Sequence, residues 1–430
     1  MPGRARRRHP RVLRRPGLRP GGFIRHGATR RPASGATIGR PHAGPRFRAR
    51  YRRQRERCLC NRSGCHNLAA GKAEQQPISM TRSLDGVELR RSKACNREGR
   101  LHYGGVSATR RVGVAVVGLG NAGQGHIAAI ENCPECSVVA GVEPDAEVAR
   151  RASIPIRDFT EVLRDDATDV VAFCLPPGGR AELVTRALRS GKHVVVEKPP
   201  AQDVSELDGL TATARAAERF AAVMFQHRFC LPDQLTAVDP SVLADRFAGA
   251  IGSLVVSRPR VDTYYELGWR SHAAVAIGGV TAHLGVHYLD LACQILGPIA
   301  DAEVLSRVEA APGVDSELVG HIRFVSGAVL NVTVTSRSKH RCEHLAIFGS
   351  NDRVEIRDGA CTGEFDGSAI TRAARPAVEL RAEVYRRLSV AVRDGSDLGV
   401  IALSRSRFVT DALARLSGAA AIATGVDSAW

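Results

Sequence analysis

Apolar residues follow two rhythms along this chain, and both begin after about residue 110. Short runs rich in Val and Ala stand at 112–117, 137–142, 169–175, 193–196 and 220–225. Their length and lack of alternation predict strands buried on both faces. Between them lie stretches that read as helices: 124–130, 180–190 closed by Gly191, and about 203–218. Asp158-Phe-Thr-Glu161 reads as a capping box opening a short helix. Strand and helix alternating in this way predict a doubly wound parallel sheet. The rhythm changes beyond Ala302. Runs 318–325 and 328–335 flank Ser326-Gly327, and runs 345–349 and 353–356 flank Asn351-Asp352, which predicts two hairpins. Further helices are expected at 280–296, between Gly278-Gly279 and Gly297-Pro298, and at about 379–393 and 403–423. The body is long enough for two domains with cores of their own.

Composition alters this picture at the N-terminal end. The net charge of +17 would ordinarily suggest a polyanionic partner. The first 110 residues hold 28 Lys and Arg against 5 Asp and Glu, whereas the other 320 hold 33 against 39. The basic character therefore belongs to the leader, and the body is mildly acidic. Residues 1–108 are rich in Arg, Pro and Gly without apolar periodicity, the signature of a disordered segment. The lack of interleaved aromatics or a reading module argues against a nucleic-acid arm. Frequent Pro and Gly argue against an amphipathic transit peptide. The reading adopted is a segment without function, translation starting later, with Met80 an internal candidate start.

Cys58, Cys60, Cys65 and His66 lack the spacing of a standard zinc site. Cys133-Pro-Glu-Cys136 has no second pair and reads as free surface or loop thiols. The 11 cysteines without regular spacing suit a reducing compartment, and no apolar run reaches membrane length. A cytoplasmic protein with no membrane partner and no metal is expected.

The candidate chemistry begins at Gly118-x-Gly120-x-x-Gly123, placed between the first strand and first helix. Gly118 permits the tight turn, Gly120 lets backbone approach a pyrophosphate, and Gly123 lets helix pack on strand; Asn121 and Ala122 complete the loop. Glu143 follows Gly123 by 20 residues, where a ribose-binding carboxylate is expected. A carboxylate there favours NAD, while Arg150 and Arg151 keep NADP open. Ligands of such a sheet sit beyond the carboxyl ends of its strands, so the Pro176 segment, Glu197-Lys198-Pro199 and Gln226-His227-Arg228 should share a rim with the glycine loop. Lys198 can polarise or protonate a carbonyl oxygen there; the competing reading is a surface lysine near a turn. His283 and His287 lie four apart on one predicted helix and should share a face. His287 suits a general base, and His283 can bind the hydroxyl, orient His287, or be a satisfied buried histidine. The spacing also permits a metal pair, but no third ligand is marked. Trp269, Arg270 and Arg228 are candidates for the substrate pocket, with packing the alternative for Trp269.

These segments together resemble a known family. VGLGNAGQGHIAAI, CLPPGGRAEL, GKHVVVEKPPA and FQHRF, followed by Gly268-Trp269-Arg270 and GGVTAHLGVHYLDLACQILG, are similar to the Gfo/Idh/MocA group, named for glucose–fructose oxidoreductase and inositol dehydrogenase. The resemblance covers about 109–430; the leader has no counterpart. It implies an α/β protein with a Rossmann domain at 109–230. A C-terminal α/β domain with an open, mainly antiparallel sheet follows at 231–430, for substrate binding and oligomerisation. It also implies NAD(P) and a sugar, inositol or sugar nucleotide as substrate. The lysine of the family's E-K-P falls at Lys198, preceded by Glu197. Its D-x-G-x-H pattern here begins with His283 and keeps the histidine as His287, and Arg180 stands where many members carry histidine. The expected activity is hydride transfer between nicotinamide and a secondary alcohol or ketone, by a homo-oligomer. The alternative is an altered, nucleotide-sensing protein that kept the fold.

Overall fold

The computed structural model describes residues 110–418 except Asp262 and Leu267. The expectations for the leader, its Cys58–His66 group and the end of the last helix lie outside the described residues. Five strands form the first sheet: β1 (Val112–Val117), β2 (Cys136–Val142), β3 (Val170–Phe173), β4 (His193–Val196) and β5 (Ala221–Val223). They pair in the order β2-β1-β3-β4-β5, all parallel. An isolated parallel bridge from Gly141 to Ile156 extends the sheet one step beyond β2. Strand order reverses at β1, so the crevice for a ligand opens at its carboxyl end.

Local chemistry starts and stops the helices. Asp158 and Glu161 form the expected capping box. Asp203 caps helix Val204–Ala216 by accepting from Glu206 N–H. Gly395, in the left-handed region, ends helix Ala377–Asp394.

The second sheet has eight strands: β6 (Ile251–Ser257), β7 (Ile299–Ala311), β8 (Val314–Phe324), β9 (Val329–Thr335), β10 (Cys342–Phe348), β11 (Arg353–Arg357), β12 (Ala360–Phe365) and β13 (Ser368–Arg372). Their order is β13-β12-β11-β10-β6-β9-β8-β7, antiparallel except for the β6–β9 pair. The two expected hairpins fall on β8–β9 and β10–β11.

Every residue of helix Val286–Leu296 is buried. A helix buried on all sides belongs inside a core. This one joins Phe173 and Val196 of the first sheet, and Phe225 just past it, to Leu254, Leu330 and Leu345 of the second in one continuous cluster. The expected 280–296 helix begins with a π-helical turn, Thr281–Gly285.

The opposite face of the parallel sheet is covered partly from far along the chain. Val112, Val114, Ile127 and Ile130 pack with Val384, Tyr385, Leu388 and Val392 of helix Ala377–Asp394. Part of the expected 231–430 domain thus returns to the first. Cys133 and Cys136 lie in this layer at 0% and 1% exposure, which corrects their reading as surface thiols. Among the described residues no helix is long and apolar enough to cross a membrane.

Candidate active site

The glycine loop leaves β1 as its sequence requires. Gly118 has φ +86° and donates its N–H to Val142 O at 2.9 Å. A Cβ on Gly123 would lie 2.1 Å from Gly118 O, so helix Asn121–Glu131 reaches its packing distance only with glycine there. Gly120 differs, because a Cβ there would meet nothing within 4 Å. Gly120, Asn121 and Ala122 are exposed, and no side chain caps the helix. Open space in front of uncapped N–H groups fits a pyrophosphate, whose charge the helix N-terminus favours. Glu143 braces the loop: its Oε2 accepts Leu119 N–H at 2.7 Å and its Oε1 accepts Asp145 N–H at 3.1 Å. It can hold a ribose from beside that loop. Arg151 is paired with Glu147, and Arg150 donates to Ala146 O at 3.1 Å.

Lys198 stands just past β4, with a cis peptide bond to Pro199. The segment is fastened from both sides. Arg180, buried, donates to Leu175 O at 3.0 Å and to Pro199 O, linking the half-buried Pro176 turn to the lysine segment. Burial lowers its pKa to about 10. Glu197 accepts Lys198 N–H at 2.9 Å and bonds His126 Nε2 at 3.1 Å. His126 Nδ1 lies 2.5 Å from Tyr385 OH. An ionised carboxylate only accepts, so Nε2 donates to Glu197. Burial works against ionisation of Glu197, yet the His126 hydrogen bond and neighbouring cations outweigh it, and its pKa falls to about 2.

Lys198 Nζ donates to His283 O at 2.7 Å. Burial lowers its pKa to about 8; Glu197 opposes this, and Arg258, Arg381 and Arg270 add to it. His283 donates from Nε2 to Ala276 O at 2.9 Å, and its ring lies 5.2 Å from that of Trp269. Burial and then Lys198 lower its pKa to about 3. The His287 ring lies 4.3 Å from that of His227, tilted by 40°, with its Nδ1 buried and unpartnered. Burial, His227 and Lys198 hold it well below its ordinary value. Burial and Arg258 lower His227 to about 4. Lys198 thus stands among three neutral imidazoles.

His283 lies in the π-turn and His287 in the helix that continues it, and their rings engage Trp269 and His227 respectively. One expectation needs correction. Arg228 was expected in the substrate pocket. It is 1% exposed and grips Asp290 at 2.7 Å through both Nε and NH2, while NH1 donates to Val400 O at 2.7 Å. Its donors are committed to holding the two domains together. Trp269 and Arg270 lie in a short 3₁₀ turn, Gly268–Ser271, at the mouth of the site.

Sequence reasoning placed His227 on the rim without a role of its own, and overlooked Arg258, Arg381 and Glu343. Arg258 follows a strand end directly, a signal that could have found it. Arg381 carries no local signal, because it comes from the returning helix to sit beside Gly125, its Cζ 3.6 Å from where a Cβ would be.

Comparison with known proteins agrees with this architecture. Residues 112–225 match the model of an oxidoreductase family with an NAD-binding Rossmann fold, and residues 243–355 match the GFO/IDH/MocA C-terminal domain. Levoglucosan dehydrogenase of Pseudarthrobacter phenanthrenivorans is 25% identical over 248 residues, covering 49% of this chain and 62% of that protein. D-glucoside 3-dehydrogenase of Escherichia coli is 32% identical over 133 residues, 30% of this chain and 36% of that one. The matches thus span about half the length of these relatives. Among solved structures, aldose–aldose oxidoreductase from Caulobacter crescentus superposes with TM-score 0.57 at 20% identity, over 72% of this chain and 98% of the other. A levoglucosan dehydrogenase complex with NADH and levoglucosan gives 0.59 at 18% identity, over 73% and 98%. With the glycine loop, the E-K-P lysine and both domain models in order along one chain, this protein belongs to the GFO/IDH/MocA oxidoreductase family.

Proposed function

We propose that the protein is an NAD(P)-dependent oxidoreductase acting on a secondary alcohol, or the corresponding ketone, of a sugar, inositol or sugar-nucleotide substrate. The carrying observation is Lys198, lowered to about 8 by burial at the rim that also holds the open glycine cradle. A group that titrates near working pH can both take and give a proton efficiently. A bound nicotinamide supplies the hydride chemistry. The chain's residues handle the oxygen: Lys198 takes the hydroxyl proton as an amine or returns it as an ammonium. His287, too depressed to keep a proton, accepts a hydrogen bond and orients the hydroxyl. This shifts the proton from His287, where the sequence reading put it, to Lys198. Trp269 and Arg270 line the substrate side. Glu143 favours NAD over NADP, because it would repel a 2′-phosphate.

The seven described cysteines are free, which suits a reducing, cytoplasmic setting. Exposed Ile251, Leu305 and Phe348 on the second sheet suit a homo-oligomer formed across that sheet. The deciding experiment titrates the protein with NADH and NADPH by nicotinamide fluorescence, then screens polyols, sugars and sugar nucleotides for turnover. Tight NADH binding and turnover lost in Lys198→Ala are expected. Turnover unchanged in Lys198→Ala would sink the assignment, and binding without turnover of any substrate would favour a nucleotide sensor.

A further inference from the structure

Positive charge is in excess where Lys198 faces the second domain. After burial and Glu197, the groups acting on the lysine are Arg258, Arg381 and Arg270, and Arg270 also acts on His283. The nearby carboxylates are already engaged. Glu197 holds His126 and the Lys198 N–H, and Glu343 is shared by Arg258 and Arg341. Arg258 is thereby balanced.

Arg270 is not. Its guanidinium lies over the Tyr264 ring at 4.3 Å and the Trp269 ring at 4.9 Å, and its Nε is buried without a hydrogen-bond partner. Among the described residues no carboxylate pairs with it. Ring faces hold a guanidinium in place but offer no acceptor oxygen, so the fork remains unspent on the described residues. That fork is the group best shaped to take a carboxylate through two parallel hydrogen bonds. Trp269 in turn lies against His283, whose backbone oxygen holds Lys198 Nζ. Two residues, Trp269 and His283, therefore stand between the unspent donor and the lysine. Arg381, whose Nε is likewise unpartnered, lies beside Gly125 on the glycine-loop helix.

We propose that the substrate is an anion: a sugar or polyol bearing a carboxylate, such as a uronate, which Arg270 grips while the hydroxyl to be oxidised lies at Lys198. One unbalanced guanidinium on the substrate side matches one negative charge, which favours a carboxylate over a phosphate. The proposal rests on the oxidoreductase reading of the same site, but its test is separable.

The chain has two tryptophans, so a Trp430→Phe background leaves Trp269, in contact with Arg270, as sole reporter. Its fluorescence is titrated with D-glucuronate, D-glucose 6-phosphate and D-glucose. Glucuronate is expected to bind at least tenfold tighter than glucose, and Arg270→Gln to erase that difference while NADH binding stays. His283→Asp, which adds a carboxylate against Trp269, should lower the ratio of glucuronate to glucose affinity at least tenfold. It serves as the second test should Arg270→Gln fail to fold. Equal affinities, no saturable response, or a preference that survives Arg270→Gln overturns the proposal, and a preference for glucose 6-phosphate over glucuronate overturns the carboxylate. NADH binding with charge-blind sugar binding defeats the anion site alone. Arg270-dependent glucuronate binding without NADH binding defeats the oxidoreductase reading alone.

Discussion

At the scale of single residues, the chemistry turns on how burial and charge treat Lys198 and His287 differently. Both are pushed toward neutrality, but the lysine starts from 10.5 and stops at about 8, whereas the imidazole starts from 6.5 and falls well below it. Only the lysine then titrates in the working range. In the direction of alcohol oxidation the neutral amine is the base, so kcat/KM should rise from pH 7 and level off above about 8. In ketone reduction the ammonium is the acid, so the rate should fall through the same window. Lys198→Arg, always charged, should flatten both limbs, and Lys198→Ala should cost about 10²–10⁴-fold in kcat. A profile flat from pH 7 to 10 that breaks only below 6 would hand the base role to His287. The lysine itself was legible, because it follows an apolar strand and precedes proline. Its bracing was not: His126 and Tyr385 are 259 positions apart, and neither position marks the contact.

At the scale of elements, the strand–turn–helix opening the first domain separates two uses of glycine. Gly123 serves packing and Gly120 serves the ligand. Gly123→Ala must displace the Gly118 carbonyl and should destabilise the protein by about 1–3 kcal/mol, read from urea unfolding. Gly120→Ala places its methyl in open space, so stability should stay within about 0.5 kcal/mol. NADH affinity should nevertheless fall by roughly tenfold, about 1.4 kcal/mol. Equal effects of the two variants on stability would refute this division. The same contrast explains which elements the sequence disclosed. β1, β3 and β4 are buried on both faces and announce themselves as unbroken apolar runs. β13, Ser-Ala-Ile-Thr-Arg, is a short edge strand with one fully buried residue, and carries almost no pattern. The π-turn at Thr281–Gly285 was equally hidden, because a segment buried on all sides has no polar face to reveal its pitch.

At the scale of the whole molecule, the two sheets are tied by a residue first assigned to substrate. Arg228 follows β5, Asp290 lies in the buried helix, and Val400 and Ser406 belong to the C-terminal segment, so one guanidinium connects three distant parts of the chain. Burial raises the Asp290 carboxyl, and Arg228 offsets part of that rise through charge and hydrogen bonding. Such a pair costs much to desolvate and more to break on one side, since the survivor is left buried and unpaired. Arg228→Met should therefore destabilise the protein by about 3–5 kcal/mol in chemical unfolding, whereas Arg228→Met with Asp290→Leu should recover most of that loss. The kinetic signature separates this from a pocket role. A strut leaves KM of the surviving folded enzyme close to wild type, whereas a substrate ligand would raise KM at little cost in stability. A sequence string cannot make that distinction, because an arginine past a strand end looks the same whether its fork meets a ligand or an aspartate 62 residues away.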